Sequence, residues 1–142
     1  MLHTLQSLKR QAMEGVPYMK KNLPKGIYEP GDLFQLLKDI TTYKHDPKGV
    51  ELIHTPQSFF EDNFHGKSGA GDCDDFTCIS IAALKALNVP DQKIKVILTG
   101  KNKTGARHIY LKVDDVPFDL TNDRIGQERK YPYKQEIPLK LL

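Results

Sequence analysis

The sequence predicts an α+β domain in which one buried helix packs on an antiparallel sheet. Three observations carry this. Apolar residues recur at helical spacing in the N-terminal part, residues 73–88 read as a helix that is apolar nearly all round, and three short strand candidates follow at 93–99, 107–113 and 116–120. Helices first and a meander of strands afterwards is an α+β order, not an alternating one.

Each element has its own signal. Leu5, Leu8 and Ala12 space an amphipathic helix over 3–14, and Gly15, Pro17 and the run Asn22-Leu23-Pro24-Lys25-Gly26 break the pattern. Pro30-Gly31-Asp32 reads as a turn and N-cap for a helix carrying Leu33, Phe34, Leu36, Leu37 and Ile40, ending near Tyr43. After the loop at His45-Asp46-Pro47-Lys48-Gly49, Val50-Glu51-Leu52-Ile53 reads as a short strand, and Thr55-Pro56 opens a helical turn through Phe59 and Phe60. His65 to Gly71 is a glycine-rich approach that lacks the residue order and the preceding strand of a phosphate-binding loop. In the helix that follows, only Lys85 is charged in the second half, and a helix without a polar face is buried on several sides. Asp114-Asp115 is a tight hairpin turn between the last two strands. Beyond Tyr131-Pro132-Tyr133 the chain is proline-punctuated and reads as an extended tail.

The 142 residues suffice for one core and are too few for two comfortable ones. We therefore read 1–142 as a single domain, with a helical extension over 1–32, a core over 33–123 and the tail over 124–142. A charge of +3 with scattered lysines, clustered only at Lys20, Lys21 and Lys25, gives no arginine stripe, so nucleic acid is not expected as a partner. No stretch approaches membrane-spanning length and charge interrupts the first ten residues, so no membrane partner is expected and the location reads as cytoplasmic. Cys73 and Cys78, five residues apart on one helix, point to different faces and make a poor disulfide.

The chemistry concentrates in Gly71-Asp72-Cys73-Asp74-Asp75-Phe76, in Arg107-His108-Ile109-Tyr110 and in Phe118-Asp119-Leu120. A thiol at a helix start, a histidine on a following strand and a carboxylate beside it can act as nucleophile, base and orienter. The helix dipole favours a thiolate at Cys73, whereas Asp72, Asp74 and Asp75 oppose it if they face the sulfur. Their structural role is to bond first-turn amides or a basic group such as Arg107. Taken singly, each residue has an ordinary reading, and Cys78 is read as a packed core residue. Zinc on Cys73, Cys78 and His108 lacks a fourth ligand and a familiar spacing, and the three aspartates lack calcium-loop periodicity. No metal or cofactor is expected. His3, His45, His54 and His65 read as surface residues.

The run from Asp46 to Pro56, then Gly71-Asp72-Cys73-Asp74-Asp75, resembles the transglutaminase-like cysteine peptidase domains of phages and prophages. Arg107-His108-Ile109-Tyr110 and Pro117-Phe118-Asp119-Leu120-Thr121 resemble the histidine and aspartate motifs of that superfamily, so the likeness spans about residues 33–123. The resemblance implies a papain-like core, with Cys73 attacking an acyl group, His108 as base and then acid, and Asp119 orienting it. It also implies an oxyanion hole made of the Cys73 amide and an upstream side chain, for which Gln57 and His54 are the candidates. This chain departs from the superfamily in having no tryptophan and a shorter stretch before the aspartate.

Three functions fit these residues. The first is a cysteine hydrolase of peptide or isopeptide bonds, acting on a protein or peptide substrate. The second is a protein-glutamine transglutaminase, which differs only in passing the acyl group to an amine. The third is a non-catalytic module that keeps the fold and binds phage particle components, with a virion-associated location. For an enzyme, the tail from Tyr131 and the loop at 65–70 are expected to restrict the cleft, so that deleting 127–142 raises turnover.

Overall fold

The computed structural model describes residues 2–26, 29–43, 55–61, 70–100 and 106–142. Helix α1 (Leu2–Glu14) buries Leu5, Leu8 and Ala12, the stripe its spacing predicts. Gly15 and Pro17 do not end the helical region but start α2 (Val16–Asn22), because a proline in the first turn loses no needed hydrogen bond. Gly15 is required by close approach: a Cβ there lies 2.2 Å from Cγ and 2.6 Å from Cδ of Pro56. Gly15→Ala should therefore cost about 1–3 kcal/mol of stability as an overpacking change, read from the urea midpoint. An unchanged midpoint would show that the Pro56 ring gives way freely.

Helix α3 (Pro30–Ile40) starts two residues before the expected Asp32 cap. Glu29 is its N-cap, Pro30 fills the first position, and Asp32 lies in the first turn, where its charge suits the dipole. The helix stops at Ile40, and strand β1 (Thr42–Tyr43) takes over. The expected strand at 50–53 lies outside the described residues. Helix α4 (Pro56–Glu61) opens at the expected proline, its first turn closed by the Phe59 amide donating to the Thr55 carbonyl. Strand β2 (Ala70–Gly71) pairs in parallel with β1, a contact that two glycine-bounded residues do not advertise.

Helix α5 (Cys73–Ala86) is the centre of the domain, and its residues from Asp75 to Leu84 are all buried. Its end is a Schellman turn. Asn88 takes a left-handed conformation at φ 64°, while the amides of Asn88 and Val89 return to the carbonyls of Lys85 and Leu84. A single 3₁₀ turn, Asp91–Lys93, leads into β3 (Ile94–Gly100), β4 (Ala106–Val113) and β5 (Val116–Phe118). Asp114 and Asp115 both have positive φ, 50° and 64°, as a type I′ hairpin requires. Ile94, Val96 and Leu98 stand opposite Val113, Leu111 and Ile109, and together these residues join the core cluster that includes α5.

The segment expected as an extended tail contains β6 (Tyr133–Pro138), which pairs antiparallel with β3 from Lys95↔Pro138 to Gly100↔Tyr133. The sheet order is thus β5-β4-β3-β6, and Leu139, in the terminal 3₁₀ turn, is fully buried. The Lys9 ammonium donates to the Leu139 carbonyl at 3.0 Å, joining the two ends of the chain. Residues 1–32, set apart in the sequence as an extension, supply Leu5, Leu8, Ala12 and Met19 to the same core. Among the described residues no helix is long and apolar enough to cross a membrane.

Candidate active site

Cys73 is the first residue of α5, and the loop before it is held by a capping box. The Asp72 carboxylate accepts from the amides of Asp74 (3.1 Å) and Asp75 (3.4 Å), while the Asp75 carboxylate accepts from the Asp72 amide (3.2 Å). Two of the three aspartates thus bond backbone, as their positions in the sequence predict. Their charges still reach the sulfur. Burial pushes the Cys73 thiol up to about 12, and the Asp74 and Asp72 carboxylates add to the rise. The Ile109 amide, donating to the sulfur, acts in the opposite direction. Arg107's side chain lies outside the described residues.

The end of β5 explains why the sulfur meets Ile109. In the hairpin ladder Val113↔Val116 and Leu111↔Phe118 exchange backbone bonds, and the next such residue on β4 is Ile109. Strand β5 stops at Phe118, which leaves the Ile109 amide and carbonyl without a strand partner on that side. Helix α5 takes both, the sulfur of Cys73 accepting from the amide and the Thr77 hydroxyl donating to the carbonyl at 3.2 Å. The nucleophile candidate is therefore fixed against the residue next to His108.

His108 lies on the face of β4 shared with Tyr110 and Lys112. Its Nε2 lies 2.7 Å from Oδ2 of Asp119, the first residue after β5 and not a strand member as expected. Asp119 is 4% exposed and richly bonded. Its Oδ1 accepts from the Thr121 hydroxyl (2.7 Å) and the Thr121 amide (3.0 Å), and Asn122 Nδ2 approaches Oδ2 at 3.5 Å. Burial alone would raise its pKa. The bond from His108 and that ring's charge, followed by the two bonds from Thr121, outweigh burial and hold the carboxyl below its ordinary range. An ionised carboxylate only accepts, so the bonded Nε2 carries a proton, and whenever the ring is neutral Nδ1 keeps the lone pair. The Lys38 ammonium, reaching from α3 to the Leu120 carbonyl at 3.0 Å, pins the loop that carries Asp119.

Two further residues are the candidates for the oxyanion hole. Gln57 is exposed on α4 and its amide donates to Glu61 at 3.0 Å, while His54 lies outside the described residues. Sequence reasoning gave no role to Thr121, Tyr110, Glu128 or Tyr131. The Asp119-Leu120-Thr121 spacing, a carboxylate two residues before a hydroxyl, was the one local signal available for Thr121. Tyr110 donates a short hydrogen bond to Glu128, and its ring stands beside those of His108 and Tyr131. Among the described residues no three His, Cys, Asp or Glu side chains gather as a metal site.

No family model matches the sequence, and no curated protein matches it. Two solved structures of LapG from Legionella pneumophila are similar in fold. The calcium-bound form has 18% identity over 88% of this chain and 75% of LapG, with a TM-score of 0.56. The other has 17% identity over 85% of this chain and 75% of LapG, also with a TM-score of 0.56. The described residues here offer no cluster for such an ion, and the Asp72 and Asp75 carboxylates engage backbone amides. The chain thus shares the α+β fold of LapG, with α5 packed on a four-stranded antiparallel sheet.

Proposed function

We propose that this protein is a thiol-dependent acyl-transfer enzyme that hydrolyses peptide or isopeptide bonds of a protein substrate, with Cys73, His108 and Asp119 as its catalytic set. The observation that carries the reading is the 2.7 Å bond from His108 to a buried carboxylate, one residue from the amide that bonds the Cys73 sulfur. Similarity in fold to LapG, a transglutaminase-like cysteine protease, supports the reaction class and a protein as substrate.

The burial-raised thiol determines how the reaction begins. Burial disfavours the Cys73 thiolate, so in this reading its proton passes to Nδ1 of His108 as the sulfur attacks the carbonyl carbon. Asp119 stabilises the imidazolium that forms. The oxyanion meets the N-terminus of α5. There the amides of Asp74 and Asp75 are engaged by Asp72, and the Cys73 amide is the donor at the head of the helix. Collapse of the intermediate breaks the C–N bond, and the proton held by His108 goes to the leaving amine. Water then adds to the thioester, giving up a proton to His108, and the acid and the free thiol are released.

The test is iodoacetamide labelling from about pH 5 to 9, with peptide mapping to separate Cys73 from the buried Cys78. Labelling of Cys73 should depend on His108, and His108→Ala should slow it on the order of a hundredfold at any pH in this range, the scale of a lost general base. Equal rates in the two proteins would sink the proposal.

A further inference from the structure

We propose that Tyr131 is a positioning residue for His108, holding the imidazole in the one orientation that serves both Asp119 and Cys73 and keeping water off the His108–Asp119 bond. The inference rests on the reading of His108 as the base.

Three rings meet on the outer face of β4. Their centroids form a nearly equilateral triangle, with His108–Tyr110 at 5.5 Å, His108–Tyr131 at 5.9 Å and Tyr110–Tyr131 at 6.2 Å. The planes lie within 25°, 28° and 31° of one another, so the rings lie side by side as offset plates. Tyr110 is the fixed member. It is 2% exposed, its hydroxyl is bonded to Glu128, and Lys112 and Lys134 approach that carboxylate at 3.6 and 3.5 Å. Tyr131 closes the third side. Its ring is half-buried and faces both other rings of the cluster.

The histidine needs such a wall. Rotation about the bond to an imidazole is broad and nearly two-fold, so the strand alone does not choose between ring orientations. Only one of the two orientations directs Nε2 to Asp119, and the proposed reaction then uses Nδ1. A flat ring alongside restricts that rotation. It also lowers the local dielectric, which strengthens the imidazole–carboxylate bond against competing water. The segment carrying Tyr131 is anchored on both sides: Asn122 donates to the Gln127 carbonyl (2.9 Å), the Gly126 amide donates to Pro117 (2.9 Å), and β6 begins at Tyr133.

The test reads the histidine directly. In proton–nitrogen spectra of the wild-type protein, the Nε2 proton of His108 should persist as a resonance protected from solvent. Tyr131→Ala should lose that signal to exchange, and Tyr131→Phe should keep it. Labelling of Cys73 by iodoacetamide should slow roughly tenfold in the alanine variant and recover in the phenylalanine one, the scale of one aromatic contact. If Tyr131→Ala does not fold, Tyr131→Leu, which keeps the bulk without the flat ring, is read in the same way. A protected proton and an unchanged labelling rate in the alanine or leucine variant would overturn the inference and leave His108 as base. Should wild-type labelling prove indifferent to His108→Ala, the catalytic reading fails, and the Nε2 proton still decides whether Tyr131 holds the ring.

Discussion

Asp119→Asn is expected to slow Cys73 chemistry on the order of a thousandfold while the protein still folds, as replacing an orienting carboxylate does in other triads. The reason is the direction of one bond. Asparagine can keep its oxygen towards the Thr121 amide and hydroxyl, which then turns the NH₂ group towards Nε2 of His108. A donor facing Nε2 selects the tautomer with the proton on Nδ1, and the lone pair needed to take the thiol proton is gone. The same variant has a stability signature. Because the Asp119 pKa is lowered in the fold, the unfolded chain binds more protons just below the ordinary carboxyl value of about 3.9. Stability from this carboxylate is therefore present above that pH and lost as pH falls through the folded value. Urea midpoints measured from about pH 2 to 6 should rise with pH in the wild type, and less steeply in Asp119→Asn. Labelling of Cys73 at the wild-type rate in the variant would remove Asp119 from the mechanism.

Deleting residues 132–142 is expected to abolish cooperative folding, not to open a restricted cleft. The deletion removes all of β6, whose six residues pair with β3 from Lys95 to Gly100, and takes away the fully buried Leu139. Ile97 and Thr99, now fully buried, would lie on an edge strand. Burial of one leucine is worth about 1.5–3 kcal/mol, and each ladder bond adds about 1 kcal/mol net. Against a typical total of about 5–15 kcal/mol, a loss of several such terms is decisive. A circular-dichroism melt should show the wild-type transition broadened or lost. A sharp transition within a few degrees of wild type would instead return these residues to the role of an accessory tail.

How much of this could be seen in the sequence depends on the range of the interaction. The capping box at Asp72 and Asp75, the apolar stripe of α1, the all-round apolar helix and the Asp114-Asp115 hairpin are written within a few residues of one another. Helical and strand periodicity and turn chemistry report such features directly. They also order a thiol, an imidazole and a carboxylate along the chain. Gly15 was misread for the same reason. A glycine before Pro17 looks like a breaker locally, yet its lack of a side chain answers to Pro56, which is remote in the sequence.

The sequence by itself therefore determined the α+β class, the central helix with Cys73 at its head, and the hairpin that brings Asp119 back towards His108. Tertiary structure alone decided that β6 completes the sheet, because Tyr133 to Pro138 is half polar and proline-bounded and acquires strand character only by pairing with β3. It alone decided that α5 takes over the Ile109 backbone groups, since that depends on where β5 leaves the sheet. It alone also placed Tyr131 beside His108. Local propensity encodes what a segment prefers to be, whereas the partner it meets is fixed by packing between segments far apart in the chain.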